Sequence, residues 1–286
     1  MYAAPGYTDP DSYDRLLTAA ERYGRAFALL DGPERIDEIE PLTRVATTDP
    51  PAPKADQPPG LRPRVSPRGH GAVYVPWLRV PEMFPPSPEA RPRMVSVPPS
   101  GHVAGLYARN DFQRGVHKAP ANMNVRGVTG LSRSIDKADQ AVLNPAGVNC
   151  FRWFSTEGAL LWGARTLASD PQWRYVNVRR LFIMIERSIE ANTGYIVFQP
   201  NDQRLWRTIR RDISAFLTLL WRQKYLMGAT PEQAFFVKCD EETNPPEVTD
   251  AGRVETLIGV APVKPAEFVI FRIGQSQAGA TSFEMA

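Results

Sequence analysis

The stretch Leu161-Trp162-Gly163-Ala164-Arg165-Thr166-Leu167-Ala168-Ser169-Asp170-Pro171-Gln172-Trp173-Arg174-Tyr175-Val176-Asn177-Val178-Arg179-Arg180 decides how this chain is interpreted. Its first part is apolar and predicts a half-buried strand that ends at Leu167. The residues 169–171 predict a polar turn, because proline fixes its own φ and keeps the preceding residue out of the helical region. The stretch therefore predicts a strand, a turn and a new element in direct succession.

The new element is predicted to be an amphipathic helix that begins at Tyr175 and runs to about residue 191. Apolar side chains recur there at helical spacing, at Val178, Leu181, Phe182, Ile185 and Ile189. Arg179 and Arg180 lie off this stripe and are expected on a polar face. We expect Trp162 and Phe182 to be buried where the strand meets the helix.

Composition bounds the class of protein. A chain of 286 residues with 43% hydrophobic side chains is long enough to bury a core. The net charge of +3 comes without a block of Lys or Arg, so it does not by itself predict a polyanionic partner. Cys150 and Cys239 lie far apart and no signal-peptide pattern is present, which favours reduced thiols and a cytoplasmic product. No apolar run approaches the roughly 20 residues of a membrane span, so membrane integration is not expected.

The front of the chain predicts a helix–strand unit over residues 1–40. Asp11 is expected to cap a helix that runs to about Tyr23. A buried strand follows at residues 26–30, and Asp31-Gly32-Pro33 is a strong turn signal.

Residues 41–99 are rich in proline and hold more than half of the chain's 28 prolines. This composition predicts a surface loop, and residues 48–71 carry few large apolar side chains. One strand is predicted inside the region, at residues 72–78. Pro76 removes a ladder donor from it and suggests an edge position or a bulge.

Residues 100–275 predict the larger part of the fold. Ser100 is expected to cap a helix through about Asn110, with a short helix at residues 136–143 and a second long helix at residues 201–226. Strands are predicted at residues 150–154, 159–167, 233–237, 253–260 and 267–273. The fold class is therefore α/β (α+β), a mixed β-sheet flanked by two long helices, with a Pro-rich surface loop and an extended C-terminal strand. Residues 276–286 predict a flexible tail.

The sequence offers no pattern of a catalytic, cofactor or metal site. The three histidines, His70, His102 and His117, have no Cys or carboxylate at ligand spacing, and no phosphate-binding glycine loop is present. Ser100 and His102 are too close in a helix start to face each other, so a structural serine is the better interpretation. We therefore expect no enzyme and no cofactor.

A nucleic-acid interface is one alternative for the helix at residues 201–226. Its polar sides carry five arginines interleaved with aromatic residues, namely Arg204, Arg207, Arg210, Arg211 and Arg222. Trp206 and Trp221 are about four helical turns apart and share a face with the apolar stripe of the helix. Core packing is therefore favoured over base stacking for these two side chains.

Several motifs in a fixed order carry a resemblance to a known family. The stretch at residues 161–180 is joined by Val97–Gly105, Gly115–Asn122, Leu143–Asn149 and Phe268–Ile273. Together they closely resemble the C-terminal domain of contractile tail sheath proteins of phage tails and phage-tail-like injection systems. The resemblance extends from about Phe27 to Gln275. Its core signature comprises Trp162, Arg165, Trp173, Tyr175 and Phe182.

The resemblance implies a structural subunit, assembled in the cytoplasm, that polymerises helically around an inner tube and contracts to drive it through a target envelope. It implies other sheath subunits, the inner tube protein, and baseplate and terminal cap proteins as partners, and no nucleic acid. Sheath proteins usually carry an N-terminal arm and a protruding domain before this region. Since this sequence starts almost directly ahead of it, we expect either a minimal or truncated sheath-like protein or an arm supplied by another chain.

The resemblance further implies that the last predicted strand is exchanged between subunits. The residues concerned are Phe268, Val269, Ile270, Phe271, Arg272 and Ile273. Both faces of this strand carry apolar side chains, as suits a strand inserted between neighbours. The alternative is that the strand closes the sheet of its own domain.

Overall fold

The computed structural model describes residues 1–47, 58–83 and 92–267. The helices are α1 (Pro10–Tyr23), α2 (Ser100–Arg114), α3 (Lys137–Leu143), α4 (Val176–Asn192), α5 (Gln203–Arg222), α6 (Pro231–Ala234) and α7 (Pro246–Thr249). The strands are β1 (Tyr2–Ala3), β2 (Ala28–Asp31), β3 (Gly71–Val75), β4 (Leu78–Pro81), β5 (Met94–Val97), β6 (Met123–Asn124), β7 (Gly130–Leu131), β8 (Val148–Phe154), β9 (Gly158–Trp162), β10 (Phe235–Lys238) and β11 (Leu257–Val260).

The largest sheet is mixed and has the strand order β1-β2-β3-β8-β9-β6. Its first four strands are parallel, and β8, β9 and β6 continue it in antiparallel pairs. A second antiparallel sheet has the order β5-β4-β7, and β10 and β11 form a separate hairpin. The predicted α+β class with a mixed sheet is thereby confirmed.

The two faces of the largest sheet bury different helices. Because successive side chains of a strand point to opposite faces, Leu30 and Val73 pack with α1 and α3 on one face. Leu29 and Tyr74 pack with α2 on the other face. The two inner parallel strands β2 and β3 are buried on both sides, since every one of their residues is buried.

A third core lies between α4, α5 and the β10–β11 hairpin. Leu181 and Ile185 of α4 pack there against the buried stripe of α5, which includes Ile209, Ile213 and Leu217. The first turn of α4 belongs to the sheet instead, because Val176 packs in the core beside α2. α5 therefore covers α4 and the hairpin and does not flank the large sheet as the sequence suggested.

Two predicted helix caps are wrong in detail. Asp9, and not Asp11, caps α1, since its carboxylate accepts the backbone N–H of Ser12 at 2.9 Å. Ser100 is the first residue of α2 and not its cap. The carboxylate of Asp31, at the end of β2, accepts the backbone N–H of Ser100 at 2.6 Å and its hydroxyl at 2.8 Å. A side chain from the sheet thus takes the place of a local cap.

The strand predicted at residues 72–78 is not an edge strand. β3 ends at Val75 and lies inside the sheet between β2 and β8. The chain leaves the sheet at Pro76, which could not donate to the ladder, and enters β4 of the second sheet at Leu78. The proline therefore marks a change of sheet.

The described part of the Pro-rich region holds more regular structure than its composition suggests. It holds three strands, β3, β4 and β5, where the sequence predicted one. Ser66 and His70 are buried, and the Arg64 guanidinium pairs with Asp14 and Glu21 of α1. The segment 58–71 therefore lies at the surface but is tied to the core at Arg64, Ser66 and His70, while residues 48–57 and 84–91 lie outside the described ranges.

Candidate assembly site at the C-terminal segment

The predicted exchange strand, residues 268–273, lies outside the described residues, and the description of the chain stops at Glu267. Glu267 is the last described residue before this segment, and its side chain is bound by the core. We call this binding site the anchor site and define it as Glu267 with Arg165, Asn144 and Tyr175.

The carboxylate of Glu267 is bound by three side chains. Arg165 donates from Nε to Oε1 at 2.8 Å and from Nη2 to Oε2 at 2.6 Å, a bidentate pair. Asn144 Nδ2 donates to Oε1 at 2.9 Å and the Tyr175 hydroxyl to Oε2 at 3.3 Å. Burial by itself raises the pKa of Glu267, but the hydrogen bonds from Arg165 and Asn144 outweigh it and leave the pKa lowered. The group is therefore held as a carboxylate.

Arg165 is placed by the strand beneath it. Its backbone N–H donates to Asn149 Oδ1 at 2.7 Å, and Asn149 Nδ2 donates back to the Arg165 carbonyl at 2.7 Å. Asn149 is fully buried in β8. Gly163 permits the close approach, because a Cβ there would lie 2.8 Å from Asn149 Oδ1. The predicted strand therefore ends at Trp162 and not at Leu167, since residues 163–167 turn onto this asparagine.

Tyr175 reaches the same carboxylate because it is paired with Arg165. The two residues form an antiparallel bridge, in which directly opposed side chains point to one face. Arg165 also donates from Nη1 to the Asn144 carbonyl at 3.0 Å, at the end of α3. The anchor site thus joins α3, the segment after β9 and the start of α4.

A second contact holds the chain just before Glu267. Asn177, buried in the first turn of α4, donates from Nδ2 to the Val263 carbonyl at 2.9 Å and to the His117 carbonyl at 2.7 Å. Pro262 is bridged to Leu226. The chain before Glu267 is therefore held at Pro262 by a backbone bridge and at Val263 by a side chain of α4.

The five signature residues fall into separate contacts. Arg165 and Tyr175 meet at the anchor site. Trp162 is half-buried and packs on Phe154, with ring centroids 4.9 Å apart. Phe182 is also half-buried and meets Trp173 edge-on at 4.8 Å. The expectation that Trp162 and Phe182 are buried where the strand meets the helix is wrong, because both are only half-buried and each packs on a different aromatic partner.

Arg179 corrects the predicted polar face of α4. Its side chain is buried, its guanidinium lies 4.6 Å from the ring centroid of Trp173, and it pairs with Glu186 at 3.3 Å. Burial lowers the pKa of Arg179. The helix is therefore enclosed on a side that the sequence pattern assigned to solvent.

Sequence reasoning missed Asn144, Asn149 and Asn177 as contributors. Asn144 and Asn149 were recognised only as members of the motif Leu143–Asn149, and Glu267 only as the start of a predicted strand. Arg165 and Glu267 are 102 residues apart, so no local pattern joins them. The one signal in the sequence was Glu267 itself, a carboxylate directly before an apolar segment.

The β10–β11 hairpin is the second feature of the site. Its inner face, Phe235, Val237, Ile258 and Val260, packs on the third core. On its outer face Phe236 lies over Gly259, where an added Cβ would be 2.1 Å from the ring. Within the described ranges neither strand pairs with a further strand, and we call these unpaired sides the open edges of the hairpin. Open edges are templates for an added strand.

The arginine-bearing face of α5 does not combine with free aromatic rings. Trp206 is buried, and its indole N–H donates to Asn201 Oδ1 at 2.8 Å. Trp221 is half-buried and donates to the Gly228 carbonyl at 3.0 Å. Both indole rings therefore pack on the third core.

No cluster of three or more His, Cys, Asp or Glu side chains suited to a metal ion occurs in the part of the chain that the structure describes. Among the same residues, no helix combines the length and apolarity that crossing a membrane requires.

The described chain is an α+β protein in which a carboxylate site binds Glu267 and the β10–β11 hairpin pairs with no further strand of the described residues. Comparison with known proteins identifies the family. Residues 67–167 match the phage tail sheath protein central domain, and residues 168–276 match the phage tail sheath C-terminal domain. The chain belongs to the contractile tail sheath family, whose members are structural proteins.

Relatives and solved structures give the extent of the similarity. The tail sheath protein of Vibrio phage KVP40 is 30% identical over 177 residues, which are 60% of this chain and 26% of that protein. The tail sheath protein of Escherichia phage P2 is 30% identical over 59% of this chain and 42% of its own length. The chain thus spans less than half of these relatives.

Two contracted sheath structures are similar over most of the chain. The helical sheath of the anti-feeding prophage is 33% identical, with a TM-score of 0.71 over 92% of this chain and 65% of that one. The sheath complex of the extracellular contractile injection system PVC is 34% identical, with a TM-score of 0.72 over 89% and 65%.

Proposed function

We propose that the protein is a structural subunit of a contractile sheath, which polymerises helically around an inner tube and contracts to drive the tube through a target envelope. The similarity to contracted sheath chains over about nine tenths of this chain carries the proposal. The anchor site and the open hairpin supply the elements that such a polymer requires.

The proposed partners are other sheath subunits, the inner tube protein, and baseplate and terminal cap proteins, with assembly in the cytoplasm. The similarity to chains of sheath and baseplate assemblies supports other sheath subunits and baseplate proteins as partners. The inner tube and the cap follow from the proposed role.

Residues 268–273 are proposed to add a strand to the hairpin of a neighbouring subunit. Three observations support this. The chain enters the segment from an anchored glutamate, the segment carries apolar side chains on both faces, and the β10–β11 hairpin offers open edges. Two strands alone make a marginal sheet, so a third strand would stabilise the hairpin.

The function is tested by expressing the chain with an inner tube protein and a full-length sheath subunit, and examining the products by negative-stain microscopy. We expect tubes or rings that contain the chain. A mobility-shift experiment with DNA over a salt series runs in parallel. Absence of any assembly together with a salt-sensitive shift would favour the nucleic-acid alternative and refute the proposal.

Strand exchange is tested with Ile270→Pro, because proline removes a ladder donor and restricts the strand. The expected variant is a folded monomer that no longer joins assemblies. Ala278→Pro, in the predicted tail, is the matched control and should assemble normally. Loss of folding in Ile270→Pro, or normal assembly, would count against exchange.

A further inference from the structure

The loop between α4 and α5 presents one phenyl side chain to solvent in an unfavourable backbone conformation. Phe198 has a φ of 65° and an exposed fraction of 101%. A bulky L-residue in this region is an outlier, because its Cβ crowds the backbone. Its neighbour Val197 is also exposed. Both the conformation and the exposure of Phe198 are unfavourable in an isolated subunit.

The loop is held on both sides of Phe198, so looseness does not explain its position. The Tyr195 hydroxyl donates to Asp212 Oδ2 of α5 at 2.6 Å, and Ile196 packs on the third core. On the other side Asn201 Nδ2 donates to the Arg253 carbonyl at 2.8 Å. A fixed loop that projects an apolar tip is a feature of contact surfaces.

The same molecule carries a groove of suitable chemistry. It has a volume of 530 Å³ and lies beside the middle of α4, where Ile183 and Met184 meet Val116 and Tyr225. This volume falls in the range of about 300–1,000 Å³ typical of binding pockets. Arg187 lines the groove, and in the described part of the chain it makes no ion pair. A guanidinium in that place can lie over an inserted aromatic ring.

The tip cannot fill the groove of its own subunit. Met184 and Asn192 lie eight residues apart in α4, or about 12 Å along the helix axis. Phe198 lies beyond the Asn192 end of α4, and the contacts of Tyr195, Ile196 and Asn201 hold the loop there.

We propose that Phe198 of one sheath subunit inserts into the α4 groove of a second copy of this chain. The contact joins two different patches, so it is head-to-tail and generates an open or helical polymer. It rests on the proposed sheath function and names one contact of that polymer. Phe198 is the apolar anchor in this contact, and Arg187 orients its ring.

Cysteine cross-linking tests the contact directly, because the native thiols of Cys150 and Cys239 are buried. Full-length Phe198→Cys is mixed with full-length Ser188→Cys, since Ser188 lines the groove, and the mixture is treated with a mild oxidant. We expect at least a tenfold higher yield of reducible heterodimer than from Phe112→Cys mixed with Ser188→Cys. Phe112 is a matched control, 93% exposed and outside the groove. Equal yields would overturn the inference.

Loss-of-contact variants give an independent test. Phe198→Ala should weaken self-association about thirtyfold or more, the loss typical of an interface anchor. Phe112→Ala should leave self-association unchanged. Ser188→Trp should block the groove, and its mixture with Phe198→Ala should form pairs while neither variant polymerises alone, as head-to-tail contacts require.

These experiments separate the inference from the proposed function. If the unaltered chain enters tubes and Phe198→Ala does so equally well, the inference fails and the sheath function stands. If the unaltered chain forms no tubes, the function fails, and the cross-linking yields still decide whether the tip meets the groove.

Discussion

Glu267→Gln should release the segment that leaves the anchor site while the rest of the domain stays folded. The substitution keeps the size of the side chain and removes its charge. The new NH₂ group would face a donor of Arg165, which would lose its bidentate partner. The Arg165 and Glu267 side chains are only 12% and 20% exposed, so solvent would compensate little of the loss.

The magnitude follows from these contacts. Hydrogen bonds to charged groups contribute about 1.5–3 kcal/mol, and breaking a buried ion pair costs about 3–5 kcal/mol. Since this pair is partly exposed, we expect about 2–3 kcal/mol for the local opening of residues 261–267. That corresponds to an increase of about 30- to 150-fold in the opening equilibrium.

Hydrogen exchange read by mass spectrometry measures this opening. The matched control is Glu255→Gln, because Glu255 is largely exposed and lies 4.0 Å from Arg253. The control should exchange like the unaltered chain. Faster exchange over the whole domain in Glu267→Gln would show a general destabilisation, and unchanged exchange at residues 261–267 would refute the reasoning.

The pH dependence provides a second readout. The folded pKa of Glu267 is lowered, so its contribution to stability is fully present above the unfolded value of about 4.3. The contribution is lost as the pH falls through the folded pKa. The difference between the unaltered chain and Glu267→Gln should therefore be constant above about pH 5.5 and shrink in acid.

Three further changes test the packing. Tyr74→Phe leaves the buried Tyr107 hydroxyl without its partner and should cost about 1–3 kcal/mol in denaturant unfolding, with the double variant Tyr74→Phe/Tyr107→Phe less destabilised than the sum of the single variants. Gly163→Ala should cost about 1–3 kcal/mol through its clash with Asn149. The control Gly105→Ala, in an open position of α2, should instead stabilise the protein by about 0.5–1 kcal/mol. Equal effects of the two substitutions would contradict the close approach at Gly163. Trp206→Ala should lower stability by about 3–5 kcal/mol, and the half-buried Trp221 should matter less; the reverse order in thermal unfolding would contradict the placement of α5.

Local signals in the sequence predicted the elements whose ends are set locally. α3 begins after Asp136, whose carboxylate accepts the Asp139 N–H at 2.8 Å, and ends before Asn144-Pro145 as predicted. The predicted stripe of α5 is its buried face. In these cases the residues that decide the structure are neighbours in the chain.

Contacts distant in sequence explain the failures. Arg179 is buried because Trp173 covers it, and the periodicity of α4 carries no information about that ring. β3 is central because β8 pairs with it from more than 70 residues away. At the anchor site, the family resemblance identified Arg165 and Tyr175, but their shared partner Glu267 depends on how the whole chain folds.

The course of α4 through two cores has a mechanical consequence. Its first turn is fixed in the sheet by Val176, and its middle is fixed against α5 by Leu181 and Ile185. The helix is 17 residues long, or roughly 25 Å, with the anchor site at one end and the Phe198 loop beyond the other. A force applied at Glu267 would therefore reach the start of α4 through Tyr175 and pass along the helix toward the Phe198 loop. A displacement at one end of α4 would therefore reach the other end with little deformation of the helix between them.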